Sequence, residues 1–216
     1  MGYRLTTAEE RATLQSRGCY AEDWSRVLVS EDFCTEQLRN VRFEGAVTIG
    51  SNTRISDSTI SNYEIGSGCV IDDVLRMECR HASSFGEGVG VAAVNENGGR
   101  TALIYRDMTA QVAYLMTMMR NRPEMVSRLM SLVEERAKEH TATIAKVGDN
   151  SSIMGARFIR EVVIEDNCTI EGASHLENGT VGSHAHVGID VRARNFIIDN
   201  HARVDGASSI ERTFVG

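Results

Sequence analysis

The sequence predicts a mainly β chain wound as a parallel β-helix, and three observations predict it. First, between Val147 and Gly216 an apolar residue returns every 17 positions, at Val147, Ile164, Val181, Ile198 and Val215. A second column holds Ile153, Ile170, Val187 and Val204, and a third holds Ile159, Leu176, Ala193 and Ile210. Twelve of these thirteen residues are Val, Ile or Leu, far more than chance spacing gives, so the period is a real signal. Second, the columns divide each turn into steps of six, six and five residues. Such steps cannot hold one face of a helix at about 3.6 residues per turn. Third, small residues (Ser151, Cys168, Ala185, Ala202) stand two places before the second column, and Gly155, Gly172, Gly188 and Gly206 follow it. A narrow core and tight corners ask for that arrangement. Three short strands per turn, stacked in parallel about 4.8 Å apart, satisfy the spacing.

Residues 1 to 40 are expected to form an N-terminal helical cap. Thr7-Ala8-Glu9-Glu10 is a capping box, and Gly18 closes the short helix that it opens. Residues 41 to 100 repeat the coil pattern less regularly, at Ile49-Gly50, Ile55, Ile60, Ile65-Gly66 and Ile71, with Thr53 and Cys69 in the small inward place. Phe85-Gly86 and Val91 are expected to resume it after a looser stretch. Residues 101 to 143 lose the pattern and are expected to form an inserted helical hairpin. Met108, Val112, Leu115, Met116 and Met119 share one helical face, and Arg120-Asn121-Arg122-Pro123 breaks the run. Pro123 suits the first position of a second helix, whose stripe is Val126, Leu129, Met130, Val133 and Ala137. This Met-rich stripe serves packing, or else contact with a partner or another subunit.

Residues 144 to 216 form the second coil segment, which is expected to be truncated. The sequence stops at Val215-Gly216, the opening pair of a further coil. A bare coil end leaves apolar side chains and strand edges uncovered. The expectation is an N-terminal fragment of a longer protein, which self-associates through that end when isolated.

Composition narrows the function classes. A net charge of -7 disfavours nonspecific nucleic-acid binding, which wants a basic surface. No apolar run approaches the roughly 18 residues that span a bilayer, and the first ten residues hold no signal-peptide core. The expectation is therefore no nucleic-acid and no membrane partner. The basic residues are nearly all Arg, with Lys only at Lys138 and Lys146, which suits pairing with carboxylates or phosphates. Five cysteines, none in a C-x-x-C pair, argue against a disulfide framework or a zinc site and for a reducing, cytoplasmic setting.

The motif of Ile or Val, Gly, two variable residues and a small residue stands at Ile49-Gly50-Ser51-Asn52-Thr53 and Val147-Gly148-Asp149-Asn150-Ser151. It resembles the hexapeptide-repeat left-handed β-helix superfamily, and the left hand comes from that resemblance alone. Over nearly its full length the chain is also similar to an uncharacterised bacterial family of hexapeptide-repeat proteins. Asn62-Tyr63-Glu64-Ile65-Gly66, Asn95-Glu96-Asn97-Gly98-Gly99-Arg100, Arg122-Pro123-Glu124 and Ile170-Glu171-Gly172-Ala173-Ser174 carry this likeness. It implies a longer parent chain. The superfamily implies a homo-oligomer, a trimer by preference, with substrate sites between coils.

Two groups of residues are candidates for chemistry. His184 and His201 are 17 apart and stack outward beneath Asn150 and Asn167, with His186 two residues beyond His184. In the acyltransferases of this superfamily a histidine near a cleft takes the acceptor's proton, which makes His186, His201 or His184 the expected base. The competing account is a solvated ladder of Asn and His. The second group is Asn95, Glu96, Gly98, Gly99 and Arg100, where adjacent glycines can aim backbone N–H groups at an anion and Arg100 adds its fork. A flexible turn by which the chain leaves the coil is the competing account here. Asn62 and Tyr63 are expected to face outward on the same side. No metal site is expected.

By resemblance the chain is expected to be a transferase that moves an acyl group to a sugar or nucleotide-sugar. Its donor would be an acyl-CoA or an acyl carrier, with no tightly bound cofactor. The rival is a non-catalytic β-helix that binds a ligand or assembles a larger protein. The core columns give the first prediction: Ile170→Asp or Val187→Asp abolishes folding, because each buries an unpaired charge. A soluble variant with unchanged thermal melting would refute the column assignment.

Overall fold

A computed structural model of the chain describes residues 2–92 and 99–216. Its second half is made of short strands: β10 (Ala145–Val147), β11 (Ser152–Met154), β12 (Phe158–Ile164), β13 (Thr169–Glu171), β14 (His175–Val181), β15 (His186–Val187), β16 (Arg192–Ile198), β17 (Arg203–Val204) and β18 (Ser209–Val215). These pair in parallel at the 17-residue spacing. Val147 lies beside Ile164, Ile164 beside Val181, Val181 beside Ile198, and Ile198 beside Val215. Ile153, Ile170, Val187 and Val204 follow one another likewise, as do Ile159, Leu176, Ala193 and Ile210. Ile153, Ile159, Ile164, Ile170, Leu176, Val181 and Val187 are wholly buried. Each such side chain contributes about 1.5–3 kcal/mol through removal from water.

The first half holds β1 (Tyr3–Leu5), α1 (Ala8–Ser16), β2 (Tyr20–Ala21), β3 (Val27–Ser30), β4 (Leu38–Ile49), β5 (Arg54–Ile65), β6 (Val70–Asp72) and β7 (Arg76–Glu78). Between the halves stand β8 (Gly90–Ala92), β9 (Thr101–Leu103), α2 (Ala110–Met118) and α3 (Pro123–Glu139). Thr7 caps α1 through the Glu10 backbone, and the Glu10 side chain returns to the Thr7 N–H. Pro123 opens α3, and Met116, Val133 and Ala102 form a small core of their own.

The topology corrects the expected fold class. Among the described residues, 16 strands form one sheet that is parallel except for the antiparallel pair of β1 and β3. Within it β5 pairs with β7 and β10, and both of these pair with β12, closing a ring of four parallel strands. The other strands of the sheet lie outside the ring. A left-handed parallel β-helix is therefore not the description that this pairing supports. The physical reason is strand length. β5 and β12 run on through a corner, so each offers one stretch to β7 and another to β10. Two local expectations fall with it. Val91 does not resume a coil, because β8 pairs antiparallel with β9 in a separate two-stranded sheet. Residues 1 to 40 are not simply a helical cap, because β3 joins the sheet in parallel beside β4.

The corners inside the long strands have left-handed backbone, at Asn62, Glu161, Asn178, Asn195 and Arg212. That kink resets the in–out alternation, and Tyr63 turns inward as a result. It is fully buried, against the expectation that it faces outward, and its hydroxyl donates to the Val162 carbonyl at 2.8 Å. Further along, Val162, Gly179 and Phe196 stand side by side on successive strands. A Cβ on Gly179 would lie 2.3 Å from the Phe196 ring, so the missing side chain is what admits the large one. The interior contact at Tyr63 gives a prediction. Tyr63→Phe costs about 1 kcal/mol for the lost hydrogen bond. Tyr63→Ala costs about 3–5 kcal/mol because it also opens a cavity. Urea midpoints with unchanged slopes measure both, and equal midpoints for the two variants would contradict the buried placement.

Candidate functional site

The segment Ser83–Glu87 leaves β7 and is stitched onto β14. The Ser83 hydroxyl donates to Asn178 Oδ1 at 2.9 Å, and the Thr180 hydroxyl donates to the Phe85 carbonyl at 2.7 Å. Ser83 also bridges antiparallel to Ala142, where the chain returns from α3. These bonds bring Glu87 against both ends of the inserted arm, which contribute Arg106 before α2 and Arg136 and His140 at the end of α3.

Glu87 is the centre of the arrangement. Its side chain is 1% exposed, and a buried carboxylate persists only when it is paired. Arg106 Nε donates to Oε1 at 2.9 Å, His140 Nδ1 lies 2.7 Å from Oε2, and Arg136 Nε lies 3.4 Å away. Arg106 Nη1 donates to Glu165 Oε1 at 3.1 Å, and Glu165 Oε2 in turn accepts from the Ser183 N–H and hydroxyl. Burial works against the charged form of Glu87, yet the hydrogen bonds from Arg106 and His140 outweigh it and hold the carboxyl below its ordinary range. Burial likewise opposes the Arg106 charge, and the bonds to Glu87 and Glu165 overcome it.

The His140 tautomer follows from its partner. A nitrogen 2.7 Å from a carboxylate oxygen carries the hydrogen, so Nδ1 is protonated, and in the neutral ring Nε2 is then the nitrogen with the lone pair. A carboxylate that fixes the imidazole in this way is the geometry by which histidine is oriented as a general base. Beside it opens a cavity of about 280 Å³, lined by Ser84, Phe85, Glu87, Arg106, His140, Ala142, Ile144, Lys146, Val163 and Thr180. Among the described residues no three His, Cys, Asp or Glu side chains converge as metal ligands would. No helix of the described residues is long and apolar enough to cross a membrane.

The residues singled out by sequence sit elsewhere. His184 and His201 occupy left-handed turn positions in one column with Asn150 and Asn167, and their rings stack at 4.8 Å. His is among the residue types that tolerate this backbone. His186 Nε2 lies 4.0 Å from Asp205 Oδ1. None of the three lines the Glu87–His140 cavity. Asn62 is committed to the corner, where Oδ1 accepts from the Ala46 N–H and Nδ2 donates to the Cys79 carbonyl. Gly99 accepts from Arg120 at 2.6 Å, and Arg100 Nη1 reaches Met118 Sδ at 3.3 Å. Asn95, Glu96 and Gly98 lie outside the described residues. Sequence reasoning missed Glu87, Arg106 and His140, because they are 19, 34 and 53 positions apart in pairs and no spacing rule links them.

A protein of Treponema pallidum (strain Nichols), named there only as an uncharacterized protein, is 25% identical over 247 residues. The alignment covers 94% of this chain and 34% of the relative, so the chain spans about a third of the length of the protein it matches. A family match covers residues 3–58 and 54–216, taking in the stacked strands together with the Glu87 segment and the arm that brings His140 to it. Strands, arm and cavity thus fall within one family unit, and the chain belongs to the family described as Domain of unknown function (DUF4954).

Proposed function

We propose that the chain carries a general-base transfer site with His140 as the base. The observation behind this reading is the 2.7 Å contact between Glu87 Oε2 and His140 Nδ1 at the wall of a cavity. His140 Nε2 removes the proton from an acceptor hydroxyl or amine as that group attacks the carbonyl carbon of an acyl thioester. The new C–O or C–N bond forms, the C–S bond breaks, and the thiolate leaves with the proton that His140 returns. The nature of the partners rests on the superfamily resemblance: a sugar or nucleotide-sugar acceptor, an acyl-CoA or acyl-carrier donor that is not held tightly, and a trimer. A cytoplasmic setting belongs to the same reading, supported by five free cysteines.

A second reading has its own support. Glu87 ties both ends of the inserted arm to the sheet, a structural duty that a non-catalytic ligand-binding or assembly module would also need. The two separate in one experiment, thiol release from acetyl-CoA with a panel of nucleotide-sugars. The expected result is measurable release that falls about 10²–10⁴-fold in His140→Gln, which keeps a side-chain N–H donor for Glu87, while the circular dichroism of the folded protein is retained. His184→Asn and His201→Asn keep the full rate, since Asn already fills that turn column at Asn150 and Asn167. No release by the wild type with any acceptor, or an undiminished rate in His140→Gln, overturns the proposal and leaves the module reading.

A further inference from the structure

Arg106 has hydrogen-bonding capacity that the protein does not use. Its Nε is bonded to Glu87 and its Nη1 to Glu165, while Nη2 lies 3.2 Å from His140 Nδ1. That nitrogen cannot accept, because its hydrogen already points at Glu87 Oε2. Among the described residues no acceptor therefore takes an Nη2 hydrogen. The side chain is 31% exposed and lines the cavity beside His140. The Nη2 donor, on a planar group fixed by the two carboxylates Glu87 and Glu165, forms a preorganised place for an oxygen that carries negative charge.

The cavity restricts what brings that oxygen. Phe85, Ala142, Ile144 and Val163 also line it, so the remainder of the ligand meets apolar wall. A volume of about 280 Å³ holds roughly nine waters' worth of matter, which suits a small molecule and not a long chain. Charge restricts it further. Arg106 and Arg136 are balanced by Glu87 and Glu165, and Lys146 lies 3.2 Å from Glu64. With no surplus of positive charge, the end accommodates a monoanion better than a dianion, whose desolvation costs more. We propose that the Arg106 Nη2 edge binds a small carboxylate with an apolar body. This rests on the transfer reading insofar as the same edge meets the donor's carbonyl oxygen when it gains charge in the reaction.

Titration of the 216-residue chain at constant ionic strength, followed by the Arg106 Nε–H resonance in ¹⁵N-labelled protein, tests this with butanoate, benzoate and inorganic phosphate as probes. Saturable shifts with both carboxylates are expected, and phosphate should bind at least tenfold more weakly. Arg106→Lys, which keeps the charge and loses the fork, should weaken carboxylate binding at least tenfold. If that variant unfolds, the wild-type titration and displacement of benzoate by butanoate still decide the matter. Absence of saturation with carboxylates, equal affinity in the folded Lys variant, or tighter binding of phosphate overturns the inference. Carboxylate binding without thiol release from any acyl donor removes the transfer reading alone. Thiol release without carboxylate binding at Arg106 removes this one alone.

Discussion

Parallel pairing in constant register places each residue of β10 to β18 beside the residue 17 positions further on, and most of the molecule follows from that constraint. Whatever a position requires it requires again 17 residues later, so inward columns stay branched and apolar from Val147 to Val215. Turn positions are copied in the same way. Asn150, Asn167, His184 and His201 share a left-handed backbone that most residue types disfavour. The stacked imidazoles are thus explained by backbone geometry before any chemistry is asked of them. At Gly148 neighbouring stretches of chain approach so closely that a Cβ would sit 2.6 Å from the Asp166 nitrogen, which leaves no room for a side chain.

Constant register is a hazard for charge, since like residues placed side by side would repel. The outward column avoids it by alternation, with Glu78, Arg160, Glu177, Arg194 and Glu211 on successive strands. Arg160 Nε lies 2.9 Å from Glu78 Oε1, and Arg194 Nε lies 3.0 Å from Glu177 Oε2. The exposed pairs contribute little singly, about 0.2–1 kcal/mol each. Glu78 is different because it is buried. Burial opposes its charge, but Arg76 and Arg80 hold it below the ordinary carboxylate range. Arginine, with its planar fork, serves such contacts better than lysine, which accords with a chain that has only two lysines.

The arm of α2 and α3 escapes the register, and its attachment depends on a second buried carboxylate. Glu87 collects a group from the start of the arm and two from its end, so the seam between arm and sheet is polar at one point and apolar around it. A buried charge with several partners is costly to break, by about 3–5 kcal/mol when a partner is removed. The same cost makes the seam rigid, and rigidity is what a base and an anion-binding edge need if they are to be held ready for a ligand. Attachment and chemistry can therefore share one cluster without conflict.

The sequence by itself determined what repeats and what is local. The 17-residue columns, the capping box at Thr7 and Glu10, and the helix opened by Pro123 are all written in spacings that a reader can count, and the strands and helices follow them. Tertiary structure decided where separate stretches meet. The ring of β5, β7, β10 and β12 arises because two long strands each serve two neighbours across an insertion. Tyr63 turned inward because a left-handed corner at Asn62 resets the alternation, and Val91 took an antiparallel partner that no repeat announces. Glu87 and His140 come together over 53 positions of intervening chain. Periodicity records the environment of one position relative to its copies. It carries no record of two unique residues that meet only once the arm has folded back on the sheet.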